Sequence, residues 1–198
     1  MSRVPPSGTA DLDGGAARTG TSWADVEVAV PDGGAARTAT SWADVEVAVP
    51  ELAARVRRRF TARTHLTMAT VRADGAPRIS GIEVTFRDGQ LWIGLMPGSV
   101  KAQDLARDPR LALHSPTVDP PTDDPSRWPG EAKLAGVALD GEGTWFGHGP
   151  SAHDVVETGG WVHLDVREAV LTTIAPDPDR LVIESWHPGH GDRRRERT

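Results

Sequence analysis

Gly98-Ser99-Val100-Lys101 combines residue types that together can hold an anion. If a helix starts at Val100, its first backbone N–H groups have no intrahelical partner and carry the positive end of the helix dipole. Glycine lets an anion reach that backbone, serine adds a hydroxyl and lysine adds a point charge. The spacing of Ala102, Leu105 and Ala106, stopped by Asp108-Pro109, predicts such a helix with Ser99 as its N-cap. The same residues also make an ordinary helix cap, so the surrounding elements must decide between the two readings. Lysine itself carries some weight here, because Lys101 and Lys133 are the only lysines in an arginine-rich chain.

Other chemistry is narrowed by composition. The 198-residue chain has no cysteine, which removes disulfides, thiolate nucleophiles and sulfur-ligated metals. It has seven tryptophans and no tyrosine, so no phenol can serve as an acid. His148, His153 and Asp154, and separately His187, His190 and Asp192, stand among glycines and prolines without helical or strand register; they read as loop residues, and no metal site is assigned. A net charge of -6 gives no electrostatic footprint for nucleic acid. No run is long and apolar enough for a membrane span and no signal peptide is evident, so a cytoplasmic protein is expected.

The elements around the turn read as strands. Leu66 to Val71 alternates with period two and is followed by Ala73-Asp74-Gly75-Ala76, a hairpin signal. Pro77 to Arg87 continues as a strand in which Ile79 is out of phase with Ile82, Val84 and Phe86, predicting a bulge or close approach at Ser80-Gly81. Asp88-Gly89 turns the chain into Gln90 to Leu95. Leu111–His114, Lys133–Leu139, Gly143–Phe146, Val162–Ile174 and Leu181–Trp186 read as further strands, and Ser151–Glu157 as a short helix. Thr117 to Gly130, rich in proline and aspartate, is a loop in which Trp128 is either a lid or an anchor. Glu83 and Asp104 read as solvated charges and Trp186 as a core residue. Pro50 opens a helix whose Leu52, Val56 and Phe60 recur every fourth residue.

Upstream lies a tandem repeat: Asp13 to Pro31 returns as Asp32 to Pro50, with Gly20 replaced by Ala39. Two near-identical copies are too few and too alike for a solenoid, so only one is required by the fold, and Ser41-Trp42 of the second is the candidate to pack. The expected organisation is a loosely held segment over residues 1–40, a mainly β domain over 41–192 with a predominantly antiparallel β-barrel, and a basic tail over 193–198.

Met68-Ala69-Thr70-Val71-Arg72-Ala73-Asp74-Gly75-Ala76-Pro77-Arg78, then Asp88-Gly89-Gln90-Leu91-Trp92-Ile93, then Gly98-Ser99-Val100-Lys101-Ala102-Gln103-Asp104-Leu105 with Asp108-Pro109-Arg110, resembles the pyridoxamine 5'-phosphate oxidase-like superfamily in order, spacing and type. The resemblance covers Glu51 to Ser115 well and the remainder loosely. It implies a split barrel that forms a homodimer with a flavin between the subunits, FMN or alternatively a 5-deazaflavin coenzyme. The implied cofactor-binding residues are Arg78, Ser80, Gly81, Ile82, Leu95, Met96, Gly98, Ser99, Lys101 and Ala102, with the phosphate at Ser99 and Lys101. The oxidases that make pyridoxal phosphate carry arginine at the positions of Ser80 and Val100, lysine near Thr85, and a substrate tyrosine for which this chain has no counterpart. The resemblance therefore implies a flavin-dependent oxidoreductase of another branch, acting on an unidentified small molecule. The alternative is a non-catalytic protein that binds flavin, deazaflavin or haem. Since the flavin carries the redox chemistry, no catalytic side chain is assigned.

Overall fold

The computed structural model describes residues 38–96, 98–140, 160–177 and 180–197. Two expected elements, the strand at 143–146 and the helix at 151–157, lie outside the described residues, as do the first repeat copy and its surroundings over residues 1–37.

Two helices precede the sheet. Helix α1, Trp42–Ala48, begins with a capping box in which the Asp44 N–H donates to Ser41 Oγ at 3.1 Å and the Ser41 N–H donates to Asp44 Oδ2 at 2.8 Å. Helix α2, Pro50–Phe60, starts on a proline, buries Leu52, Ala53, Val56 and Phe60, and places Arg57, Arg58 and Arg59 at the negative end of its dipole. Thr40 is already part of the domain: its N–H donates to Asp165 Oδ1 at 2.8 Å and its carbonyl accepts from the Val166 N–H at 2.9 Å.

The strands are β1 (Leu66–Val71), β2 (Pro77–Ile82), β3 (Val84–Arg87), β4 (Gln90–Leu95), β5 (Arg110–His114), β6 (Glu131–Asp140), β7 (Gly160–Ile174), β8 (Leu181–His187) and β9 (Gly191–Arg197), with α3 (Val100–Arg107) between β4 and β5. They form one antiparallel sheet in the order β2-β1-β5-β6-β7-β4-β3, extended by β8 on β7 and β9 on β8. The path begins on β2 and ends on β3, yet these strands are separated only by Glu83. The chain itself thus joins the two edges at one corner, and the sheet curls into a split barrel. Leu66, Met68, Leu91, Ile93, Leu113, Leu134, Leu164 and Leu171 fill the interior, with α2 packed on β6 and β7.

Two backbone devices hold this shape. Asp88 and Gly89 both have positive φ, 52° and 72°, the conformation that lets a two-residue turn match the twist of β3 and β4. At Ala135/Gly136 the β6–β7 register shifts, and a Cβ on Gly136 would sit 2.0 Å from the Asp165 carbonyl oxygen.

Three expectations need correction. The β1–β2 ladder is regular through Thr67↔Gly81, so there is no bulge at Ser80-Gly81; Ile79 differs from Ile82, Val84 and Phe86 because it lies on the outward face, while those three keep one inward face across Glu83, where the run leaves β1 and joins β4. Asp104 is not a solvated charge but is buried on the face of α3 that packs on β1. Residues 193–197 are not a free tail: Gly189 and Gly191, both at positive φ, reverse the chain, and β9 pairs with β8 from His187↔Gly191 to Leu181↔Arg197. Every residue of β9 is exposed, so it lacks the apolar alternation by which strands are recognised.

Candidate functional site

A cleft of about 720 Å³ opens at the corner where β2 passes into β3. One wall is the α2–β1 connection, Thr61 to His65, and another is Gly81 to Thr85. Gly94 and Met96 at the end of β4, Trp161 at the start of β7, and Lys101 complete it. Topology brings these segments together: β4 pairs with β3 on one side and β7 on the other, which sets Trp161 directly across from Gly94.

Lys101 lies on the first turn of α3, and its Nζ donates to the Gly81 carbonyl at 2.7 Å, tying the helix start to β2. Burial pushes its pKa below the ordinary lysine value. None of the ion pairs among the described residues engages it. Ser99 takes the N-cap position with φ -62° and ψ 147°, but its side chain caps nothing. Its Oγ is buried and has no hydrogen-bond partner. The start of α3 therefore has an uncapped set of N–H groups, an unpaired hydroxyl and a lysine ammonium in three successive residues. Gly98, with φ 68°, holds the turn in the left-handed region.

Gly81, Ile82, Met96 and Lys101 meet at the cleft, and Gly98, Ser99 and Ala102 lie on the adjoining turn and helix. Ser80 is half-buried on the same strand face as Arg78 and Ile82. Leu95 is buried in the core. Arg78 has another engagement: its Nε donates to Asp104 Oδ2 at 2.5 Å, and the same carboxylate receives Thr70 Oγ1 and Arg107 Nη2, each at 3.0 Å. These bonds, led by the one from Arg78 and opposed by burial, bring the Asp104 pKa down from 3.8 to about 2. The cluster binds α3 to β1 and β2, and so fixes the helix whose first turn faces the cleft.

Sequence reasoning did not single out Arg63, His65 or Trp161. Nor did it place Glu83 at a site. All four line the cleft, and His65 Nδ1 stands 3.6 Å from Glu83 Oε1. A local signal existed only for His65, which immediately precedes β1; Trp161 reaches the cleft through a pairing with β4 far away in sequence. Trp128 does not line the cleft; its indole N–H donates to the Val118 carbonyl at 2.7 Å, anchoring its own loop. Trp186 belongs to the core. Among the described residues no three His, Asp or Glu side chains gather in a metal-binding arrangement, and no helix is long and apolar enough to cross a membrane.

Comparison with known proteins assigns the barrel to a lineage. The family model described as pyridoxamine 5'-phosphate oxidase matches residues 52–184, from α2 to β8. The chain belongs to the pyridoxamine 5'-phosphate oxidase family. No curated protein matches it in sequence. Among solved structures, a pyridoxamine 5'-phosphate oxidase-related, FMN-binding protein from Nostoc punctiforme is similar with a TM-score of 0.53 and 12% identity, over 76% of this chain and 96% of that one. PhzG from Burkholderia lata 383, in complex with tetrahydrophenazine-1-carboxylic acid, has a TM-score of 0.52 and 13% identity, over 78% and 91% of the two chains. At such identities these two structures share the split-barrel fold of the pyridoxamine 5'-phosphate oxidase family with this chain, and the likeness extends no further.

Proposed function

We propose that the corner cleft holds a flavin, FMN or a 5-deazaflavin coenzyme, with its phosphate on the first turn of α3, and that the protein is a flavin-dependent oxidoreductase acting on a small molecule. The observation that carries this reading is Ser99 Oγ, a buried hydroxyl without a partner at an uncapped helix start, two residues from a lysine that no carboxylate among the described residues neutralises. A buried polar group left unpaired costs about 1–3 kcal/mol, a deficit that a bound phosphate oxygen would remove. The donor set fits a phosphate, since it offers N–H, O–H and ammonium groups and no acceptor charge. When bound, the flavin would supply hydride transfer at its ring, while the chain binds and orients it. Gly81, Ile82 and Met96 would lie along the ring and side chain, with Trp161 and the His65–Glu83 pair on the remaining walls.

A second copy of the chain would complete the site. Ile79 is 70% exposed, Met96 62% and Val100 53%, three large apolar side chains on β2, at the end of β4 and at the start of α3. They supply the apolar surface that a homodimer would cover.

The test is titration of the purified full chain with FMN, riboflavin and a 5-deazaflavin coenzyme, followed by the flavin absorption bands. Saturable binding of FMN or deazaflavin, with redox cycling when a nicotinamide donor is added, is the expected result. Binding of none of the three would sink the reading. Tight binding with no reduction or reoxidation by any donor or acceptor would instead make the protein one that sequesters flavin.

A further inference from the structure

Helix α1 is a plug seated in a groove built by α2, β3, β4 and β7. The Trp42 ring is buried edge-on against Phe86 at 4.9 Å, and Val45 is buried beside it. The Ala43 N–H donates to the Gly89 carbonyl at 2.8 Å, and the Thr40 carbonyl accepts from the Val166 N–H at 2.9 Å. The Trp42 indole N–H donates to Glu46 Oε1 at 2.8 Å, and Glu46 also takes Arg57 Nη1 at 2.8 Å. All of these contacts are made by residues between Thr40 and Val49. That stretch is repeated without a single change as Thr21 to Val30, since the one difference between the copies, Gly20 against Ala39, falls outside it.

We propose that the groove accepts either copy, and that Thr21 to Val30 of the same chain is a reserve occupant that seats when Thr40 to Val49 is released. Every group that the groove contacts in the downstream copy has an identical counterpart upstream: Trp23 for Trp42, Val26 for Val45, Glu27 for Glu46, and Ser22 with Asp25 for the capping box. What separates the two seatings is connectivity. The downstream copy runs straight into α2, whose N-cap is Val49, so it holds the groove in the intact chain. Seating the upstream copy leaves residues 32–49 as a loop whose ends meet at the same place, and the entropy of closing such a loop grows only with the logarithm of its length. The upstream seating is a minor state that damage to α1 promotes.

Four full-length chains decide it by thermal unfolding: the parent, Trp23→Ala, Trp42→Ala and the double variant. Trp23→Ala alone is expected to leave the midpoint unchanged. In the Trp42→Ala background it is expected to lower the midpoint by a further ~2 °C or more, the loss of a buried tryptophan less the cost of closing the loop. If Trp23→Ala has no effect in either background, the reserve seating is wrong. The further drop caused by Trp23→Ala in the Trp42→Ala background is expected to be the same at every protein concentration, and a drop that varies with concentration would overturn seating within one chain in favour of exchange between chains. The milder pair Val45→Ala and Val26→Ala repeats the cycle if Trp42→Ala fails to fold.

Discussion

Replacing Lys101 with methionine keeps the aliphatic stem and removes the charge, so it isolates the ammonium's contribution to holding a phosphate. Lys101 Nζ is held 2.7 Å from the Gly81 carbonyl and is partly desolvated, which fixes its position but leaves solvent on one side. A hydrogen bond to a charged group contributes about 1.5–3 kcal/mol, and solvent screening places this one at the lower end. About 1.5 kcal/mol corresponds to roughly tenfold in Kd. The expected result of fluorescence titration is therefore an FMN affinity about tenfold weaker for Lys101→Met, with riboflavin, which has no phosphate, unaffected. Lys101→Arg should recover most of the loss, and raising the salt should narrow the gap between parent and variant. Equal weakening of FMN and riboflavin would mean that Lys101 shapes the cleft through Gly81 rather than binding phosphate. No weakening of either would remove α3 from the site.

Asp104→Asn should lower the urea midpoint at neutral pH. The folded Asp104 pKa of about 2 lies below its ordinary 3.8, so its contribution is complete above about pH 4 and is lost as pH falls through that window. The gap between parent and variant should accordingly shrink between about pH 4 and pH 2, and a gap that stays constant would contradict the ionised cluster. Gly136→Ala forces a Cβ to within 2.0 Å of the Asp165 carbonyl and should cost about 3 kcal/mol by chemical denaturation. A neutral outcome would mean that the β6–β7 irregularity can relax. Ile79→Asp places a charge on the exposed apolar face of β2 and should convert the proposed dimer to a monomer in sedimentation without changing the far-ultraviolet circular dichroism.

The parts of the fold that depend on near neighbours were legible in the sequence. Leu52, Val56 and Phe60 mark α2 by period alone, Asp88-Gly89 marks the β3–β4 turn, and Asp108-Pro109 marks the end of α3. What escaped depends on distant partners. Asp104 looks like a surface carboxylate until α3 is laid on β1 and β2, where Thr70 and Arg78 await it. Ile79 falls out of phase because it is an apolar residue on the outward face of β2, and nothing local distinguishes an exposed isoleucine from a bulge at Gly81. Helix α1 did leave a local signature, the Ser41–Asp44 spacing of a capping box, hidden within a duplication. Within the candidate site, the first turn of α3 could be read directly, whereas Trp161 depends on the β4–β7 pairing.

Among the described residues β9 pairs only with β8, which leaves its outer edge open to a passing strand. If a second molecule paired there antiparallel about Arg194, the two Arg194 residues would face each other, Arg193 would face Arg195, and Asp192 would face Glu196. Every charged pair across that junction is of like sign, and like charges directly opposite repel. The arginine run that resembles a solvated tail thus acts as a terminus for sheet growth: in that register, copies of this protein cannot polymerise edge to edge.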